Sequence, residues 1–162
     1  PRQCHGAEVF KNKILVFGGE GSNRHQDAID TVLEFDPQKN ECKEMPPLPH
    51  PLTRMATVRW RDQVVLLGGC DKHNQLLSDV FMYDCETGKT TLLPPMIERR
   101  YGCCAVITGN TIVVMGGWSN NKRLNSVEYF TMGGYYWEYL PAMNKVRYNA
   151  VAEVLPSTRK YV

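Results

Sequence analysis

Ile112-Val113-Val114-Met115-Gly116-Gly117 is an apolar run ending in a glycine pair. The same figure occurs as Ile14-Leu15-Val16-Phe17-Gly18-Gly19 and as Val64-Val65-Leu66-Leu67-Gly68-Gly69. The pairs lie about 50 and then about 48 residues apart, a period that signals a repeat architecture. One pair alone would be a loop breaker; three in the same setting imply a strand that ends where backbones approach closely.

Working outward from the pairs, the same order of features recurs. A lead-in segment and a short strand come first, near Cys4–Phe10 in the first unit, followed by a turn at Lys11-Asn12. After Gly-Gly comes a polar loop, then a strand ending in an aromatic residue: Thr31–Asp36, Asp79–Asp84 and Ser126–Thr131. A last strand, near Glu41–Met45 in the first unit, runs into a proline-rich link. In Thr31-Val32-Leu33-Glu34-Phe35, Val32 and Glu34 share one face and Leu33 and Phe35 the other, which suits a strand packed on both sides. No stretch holds a 3.6-residue apolar period, so almost no helix is expected. Four short strands per unit describe an all-β propeller blade. The predicted division is residues 1–50, 51–97 and 98–145 as three four-stranded antiparallel blades, and 146–162 as the first two strands of a fourth.

These residues resemble Kelch repeats. The third unit carries the fullest pattern: Arg100, Ile112–Gly117, Leu124-Asn-Ser-Val-Glu-Tyr129, Trp137 and Leu140-Pro-Ala-Met143. In the first two units Phe35-Asp36 and Tyr83-Asp84 stand for the family's Tyr-Asp, and Cys42 and Thr90 replace its Trp. The resemblance covers essentially the whole chain. It implies a β-propeller and, in the Kelch-like substrate adaptors, capture of a protein partner by a chain that recruits cullin-3 through a BTB domain. A closed ring needs at least four blades, and two copies of this chain would leave surplus strands at the joins. Part of a longer propeller is therefore expected, as Pro1 in place of an initiator Met also suggests.

The bulk numbers leave room for this reading. At 162 residues, 43% hydrophobic and 22% charged, an ordered core is expected. The net charge of +2 is scattered, and Arg59-Trp60-Arg61 and Arg99-Arg100 make a poor nucleic-acid footprint. No apolar run approaches the ~20 residues of a membrane span, and no signal-peptide pattern is present. Six cysteines in a chain of this size, with no Asn-x-Ser/Thr sequon, predict free thiols and a cytoplasmic setting.

Chemistry finds little support in the residues. Cys70-Asp-Lys-His73 has ligand-like spacing but no second pair in register, so neither metal nor cofactor is expected. The copper-oxidase activity of some Kelch-type propellers would need Tyr and His ligands at a spacing absent here, and no phosphate loop, nucleophile elbow or carboxylate pair occurs. Enzymatic function is not expected. Cys70 is weighed as a redox thiol, but Asp71 opposes the help of Lys72. Cys103 and Cys104 point to opposite faces of one strand and read as buried hydrophobes.

Binding is the stronger expectation. The resemblance places two kinds of position at the loop mouth: residues directly after Gly-Gly, here Glu20, Cys70 and Trp118, and lead-in residues, here Gln3, Thr53, Arg54, Arg100, Tyr101, Arg147, Tyr148 and Asn149. Arg, Tyr and Trp dominate interface energetics, and Arg grips carboxylates, so a protein or peptide ligand with an acidic motif is expected. The recurring Arg2, Arg100 and Arg147 also suit a structural role. Arg54 sits two residues closer to its glycines and heads the contact set, followed by Trp118. The six repeat glycines and Trp137 are assigned to structure. The alternative function is an actin-associated structural protein, using the blade sides. The long polar loop Glu20–Asp30 reads either as a partner-specific insertion or as a mobile loop.

Overall fold

The computed structural model describes residues 1–21 and 27–155. The first sheet joins β1 (Gly6–Phe10), β2 (Lys13–Phe17), β3 (Val32–Asp36) and β4 (Glu41–Met45) in chain order. The second joins β5 (Ala56–Trp60), β6 (Gln63–Leu67), β7 (Val80–Asp84) and β8 (Thr90–Leu93) likewise. Further along come β9 (Cys104–Thr108), β10 (Thr111–Met115), a two-stranded ribbon of β11 (Trp118–Ser119) and β12 (Lys122–Arg123), then β13 (Val127–Thr131) and β14 (Glu138–Leu140). The third sheet is β9-β10-β13-β14. Every pairing is antiparallel, and no α-helix occurs among the described residues. The three blades pack with their first strands side by side, β5 touching both β1 and β9.

The alternation of strand side chains decides how blades stack. In β6, Val64 and Leu66 enter one apolar cluster with Leu15, Phe17 and Val32 of the first blade. Val65 and Leu67 enter a second cluster with Ile112, Val114 and Phe130 of the third. Neighbouring residues of one strand thus serve two interfaces, as a period of two requires. The flanking blades show only half of this. β2 buries Leu15 and Phe17 while Ile14 and Val16 stay half-exposed, and β10 buries Ile112 and Val114 but not Val113 and Met115.

Each glycine pair is the joint between blades. At Gly69, φ is 98° and its N–H donates to the Arg100 carbonyl of the next unit at 2.8 Å. A Cβ there would lie 2.5 Å from the Thr53 carbonyl oxygen, so no side chain fits without moving backbone. Gly19 and Gly117 donate in the same way to Leu52 and Arg147.

Leu52, not Arg54, therefore occupies the lead-in position that Arg100 fills in the third unit. Arg100 is fully buried; its guanidinium donates to the Gly116 carbonyl at 2.7 Å, Ser126 Oγ at 3.1 Å and Glu128 at 2.5 Å. Glu128 is also fully buried and accepts the backbone N–H of Ile97 (2.6 Å) and Glu98 (3.1 Å). In the second unit the same two places hold Leu52 and Phe81, both in the first apolar cluster. One blade thus seats an ion pair where its neighbour seats hydrocarbon.

Trp137 is buried, stacks on Phe130 at 5.3 Å, and donates to the Pro94 carbonyl at 2.8 Å, tying the third blade to the second unit's link. The Tyr83 hydroxyl makes the corresponding reach to the Pro46 carbonyl, also at 2.8 Å. Asp36 and Asp84 close the turns after their aromatics by accepting backbone N–H bonds from two and three residues ahead.

Two expectations meet a boundary here. No strand of a fourth blade is formed within the described residues 146–155. Residues 156–162, where the second of its two expected strands would fall, lie outside the described residues, as do 22–26 of the loop after Gly19.

Candidate loop-mouth site

The two classes of position expected at the mouth meet as backbone pairs. Gln3 bridges Glu20, Thr53 bridges Cys70, and Tyr101 bridges Trp118, each closed by N–H···O bonds in both directions at 2.8 to 3.2 Å. The residue after each bridge turns left-handed, Cys4 (φ 55°), Arg54 (58°) and Gly102 (58°), and Asn149, which follows Tyr148, does the same (51°). These four form a chain across the blades. Arg54 N–H donates to Cys4 O at 2.8 Å, Gly102 to Arg54 at 3.0 Å, and Asn149 to Gly102 at 2.9 Å. Arg54 is displaced in sequence because it occupies this arc, with a conformation that costs a non-glycine residue roughly 1–2 kcal/mol.

Side chains converge on the arc. The Arg54 guanidinium lies 5.6 Å from the Tyr101 ring centre, and its Nη2 meets Glu20 Oε1 at 3.3 Å. The Tyr148 ring packs edge-on to Tyr101 (5.7 Å) and Trp118 (5.8 Å). Gly102 makes room for that ring, since a Cβ would lie 2.5 Å from Tyr148 Cε2. Burial opposes the Arg54 charge, but the adjacent Glu20 carboxylate outweighs it and holds the guanidinium pKa above its ordinary value. Burial first, then Tyr148, raises that of the Tyr101 hydroxyl.

Arg54, Tyr101, Trp118 and Tyr148 are thus brought together, each partly exposed, with Asn149 exposed beside them. Four residues expected at the mouth are not at the surface. Arg100 is sealed by its own blade's carbonyls and Glu128. Glu20 is 1% exposed and lies beneath the arc, accepting from Gln3 Nε2 at 3.2 Å and Thr53 Oγ1 at 3.4 Å. Cys70 is also 1% exposed, and burial pushes its thiol up to about 11, which removes both the contact role and a thiolate at neutral pH. Thr53 is fully buried, whereas Gln3 and Arg147 are exposed.

Two features escaped the sequence reading. One is Gly102, whose signal was only its spacing from Gly116. The other is the β11–β12 ribbon, which extends the mouth at Trp118. Its signal was Asn120-Asn121 between Trp-Ser and Lys-Arg; both asparagines turn left-handed (φ 46° and 61°), as a tight hairpin needs.

Among the described residues no three His, Cys, Asp or Glu side chains gather as a metal site, and all six cysteines are unpaired. Comparison with known proteins agrees with this architecture. A family model described as the KLHDC2/KLHL20/DRC7 Kelch-repeats domain matches residues 1–154. The chain is 24% identical over 156 residues to Kelch-like protein 25 of Xenopus tropicalis, covering 96% of this chain and 26% of that protein. It is 30% identical over 132 residues to human Kelch-like protein 23 (80% and 23%), and 30% over 158 residues to a putative adagio-like protein 2 of Oryza sativa subsp. japonica (88% and 24%). The chain spans about a quarter of the length of these curated relatives. With three glycine-jointed four-stranded blades and a family match over nearly its full length, the chain belongs to the Kelch-repeat β-propeller family.

Proposed function

We propose that this chain is a non-catalytic interaction module that binds a protein or peptide partner at its loop mouth. The observation that carries the reading is the convergence of Arg54, Tyr101, Trp118 and Tyr148 on one left-handed arc, because these residue types supply most binding energy at protein interfaces. The aromatic rings lose little conformational freedom on binding, being already packed edge to face. In a longer protein the module is the substrate-recognition part of a cullin-3 ubiquitin ligase adaptor acting in the cytoplasm, a setting that six unpaired thiols suit.

Affinity capture from cell extract with the wild type and with an Arg54→Ala/Trp118→Ala double variant tests the mouth. The expected result is loss of specific partners from the double variant while its circular dichroism is unchanged. Identical partner sets from both proteins would overturn the site.

A further inference from the structure

Glu20 is the one carboxylate that directly follows a glycine pair; the same place holds Cys70 and Trp118 in the other two units. At 1% exposure it is out of a ligand's reach, yet its charge sits under the arc. Its Oε1 accepts from Gln3 Nε2 at 3.2 Å and from Arg54 Nη2 at 3.3 Å, and its Oε2 from Thr53 Oγ1 at 3.4 Å. These donors come from the lead-in segments of the first and second units, so one buried acid joins both to the arc.

Arginine grips a carboxylate with a fork of two parallel N–H groups. On Arg54 the side-on fork is already spent. Nη2 is held by Glu20, and Nε is buried with no hydrogen-bond partner among the described residues. The guanidinium also lies against the Tyr101 ring. A ligand carboxylate brought here would put a second anion beside a cation that is already neutralised, and in a partly desolvated place that is costly. A paired guanidinium still stacks on planar groups, and the edge-to-face rings of Tyr101, Tyr148 and Trp118 add apolar area beside it.

We propose that Glu20 is the positioning residue of the mouth. It pins Arg54 against Tyr101 and silences its charge, so that the central subsite takes an uncharged aromatic or aliphatic side chain of the partner and turns acids away. The assignment rests on the mouth being the binding face.

The test uses a random peptide library displayed on phage, selected on the full chain, on Glu20→Gln and on Glu20→Gln/Arg54→Gln. Circular dichroism checks that each variant folds. Gln keeps the shape of the side chain and an acceptor oxygen while removing the charge. Wild-type selections are expected to share an aromatic or aliphatic anchor with no enrichment of Asp or Glu beside it, a readout that needs no variant. Glu20→Gln frees the Arg54 charge. Its selections should gain Asp or Glu beside the anchor, and a peptide carrying that acid should bind it about tenfold tighter than wild type at low salt, less at high salt. Glu20→Gln/Arg54→Gln should return to the wild-type preference. Acid-enriched peptides from the wild type, or variants that weaken every peptide alike with no change of preference, would overturn the role of Glu20 and leave the mouth reading standing. Peptides that bind a Trp118→Ala variant unchanged, or an absence of any selected binder, would count against both.

Discussion

The second and third blades solve one packing problem in two ways, and exchanging the solutions is a direct test of the repeat logic. Arg100→Leu leaves Glu128 fully buried with only the N–H groups of Ile97 and Glu98 for partners. Removing one member of a buried pair costs about 3–5 kcal/mol. Glu128→Phe leaves Arg100 on the Gly116 carbonyl and Ser126, 3.5 Å from the half-buried Glu98, and should fall near the lower end of that range. Together the two substitutions copy Leu52 and Phe81, which share one apolar cluster in the neighbouring blade. Replacing a buried ion pair by hydrocarbon of similar volume is often neutral, so the double variant should lose no more than about 1 kcal/mol. The coupling between the sites is then several kcal/mol, well above the ~0.5 kcal/mol within which independent sites add. Urea unfolding followed by tryptophan fluorescence reads this out, since Trp137 stacks on Phe130 in the same interface. A double variant whose loss equals the sum of the single losses would refute the equivalence of the two blades.

Three further outcomes follow from the geometry. Gly69→Ala places a Cβ 2.5 Å from the Thr53 carbonyl at φ 98°, and should lower the thermal midpoint by more than any exposed Gly→Ala change, Gly133→Ala being the control with nothing within 4 Å. Trp137→Phe keeps most of the stack but orphans the Pro94 carbonyl, at a cost of about 1–3 kcal/mol in urea unfolding. The buried thiols set an alkaline limit. Burial pushes Cys103 up to about 12, and Cys70 and Cys85 to about 11, from an ordinary value of 9.0. Raised folded values mean that the unfolded chain loses these protons first. The stabilisation is complete below pH 9 and is lost as pH rises through 11 to 12, by about 1.4 kcal/mol per pH unit for a fully buried thiol such as Cys103. Denaturation midpoints that stay flat from pH 9 to 11 would show that these thiols are not buried.

The glycine joints and nearly every strand could be read from the chain because they rest on local rules. A four-residue apolar run before Gly-Gly has one outcome in a blade, and the strand bounds expected at Glu41–Met45 are those observed. The mouth was harder to read because residue type misled where spacing would have served. Arg2 and Arg100 each precede their first glycine by 16 residues, and Leu52 keeps the same separation from Gly68. Matching arginine to arginine put Arg54 out of register, whereas counting back from the glycines puts it in the arc with Cys4 and Gly102. The burial of Arg100 was hidden for another reason. Its partner Glu128 sits on β13, 28 residues away, and only the folded blade brings the two charges together.

The two-sided burial of β6 has a consequence for how the chain comes apart. Either flanking blade separates from the rest by breaking one interface, but β6 amides are released only when both have gone. In hydrogen exchange, Val64–Leu67 should therefore be the last amides to trade their protons, with rates set by global unfolding, while β4 and β14 exchange through local fraying. The middle blade anchors the packing of the chain, and substitutions there cost both neighbours at once.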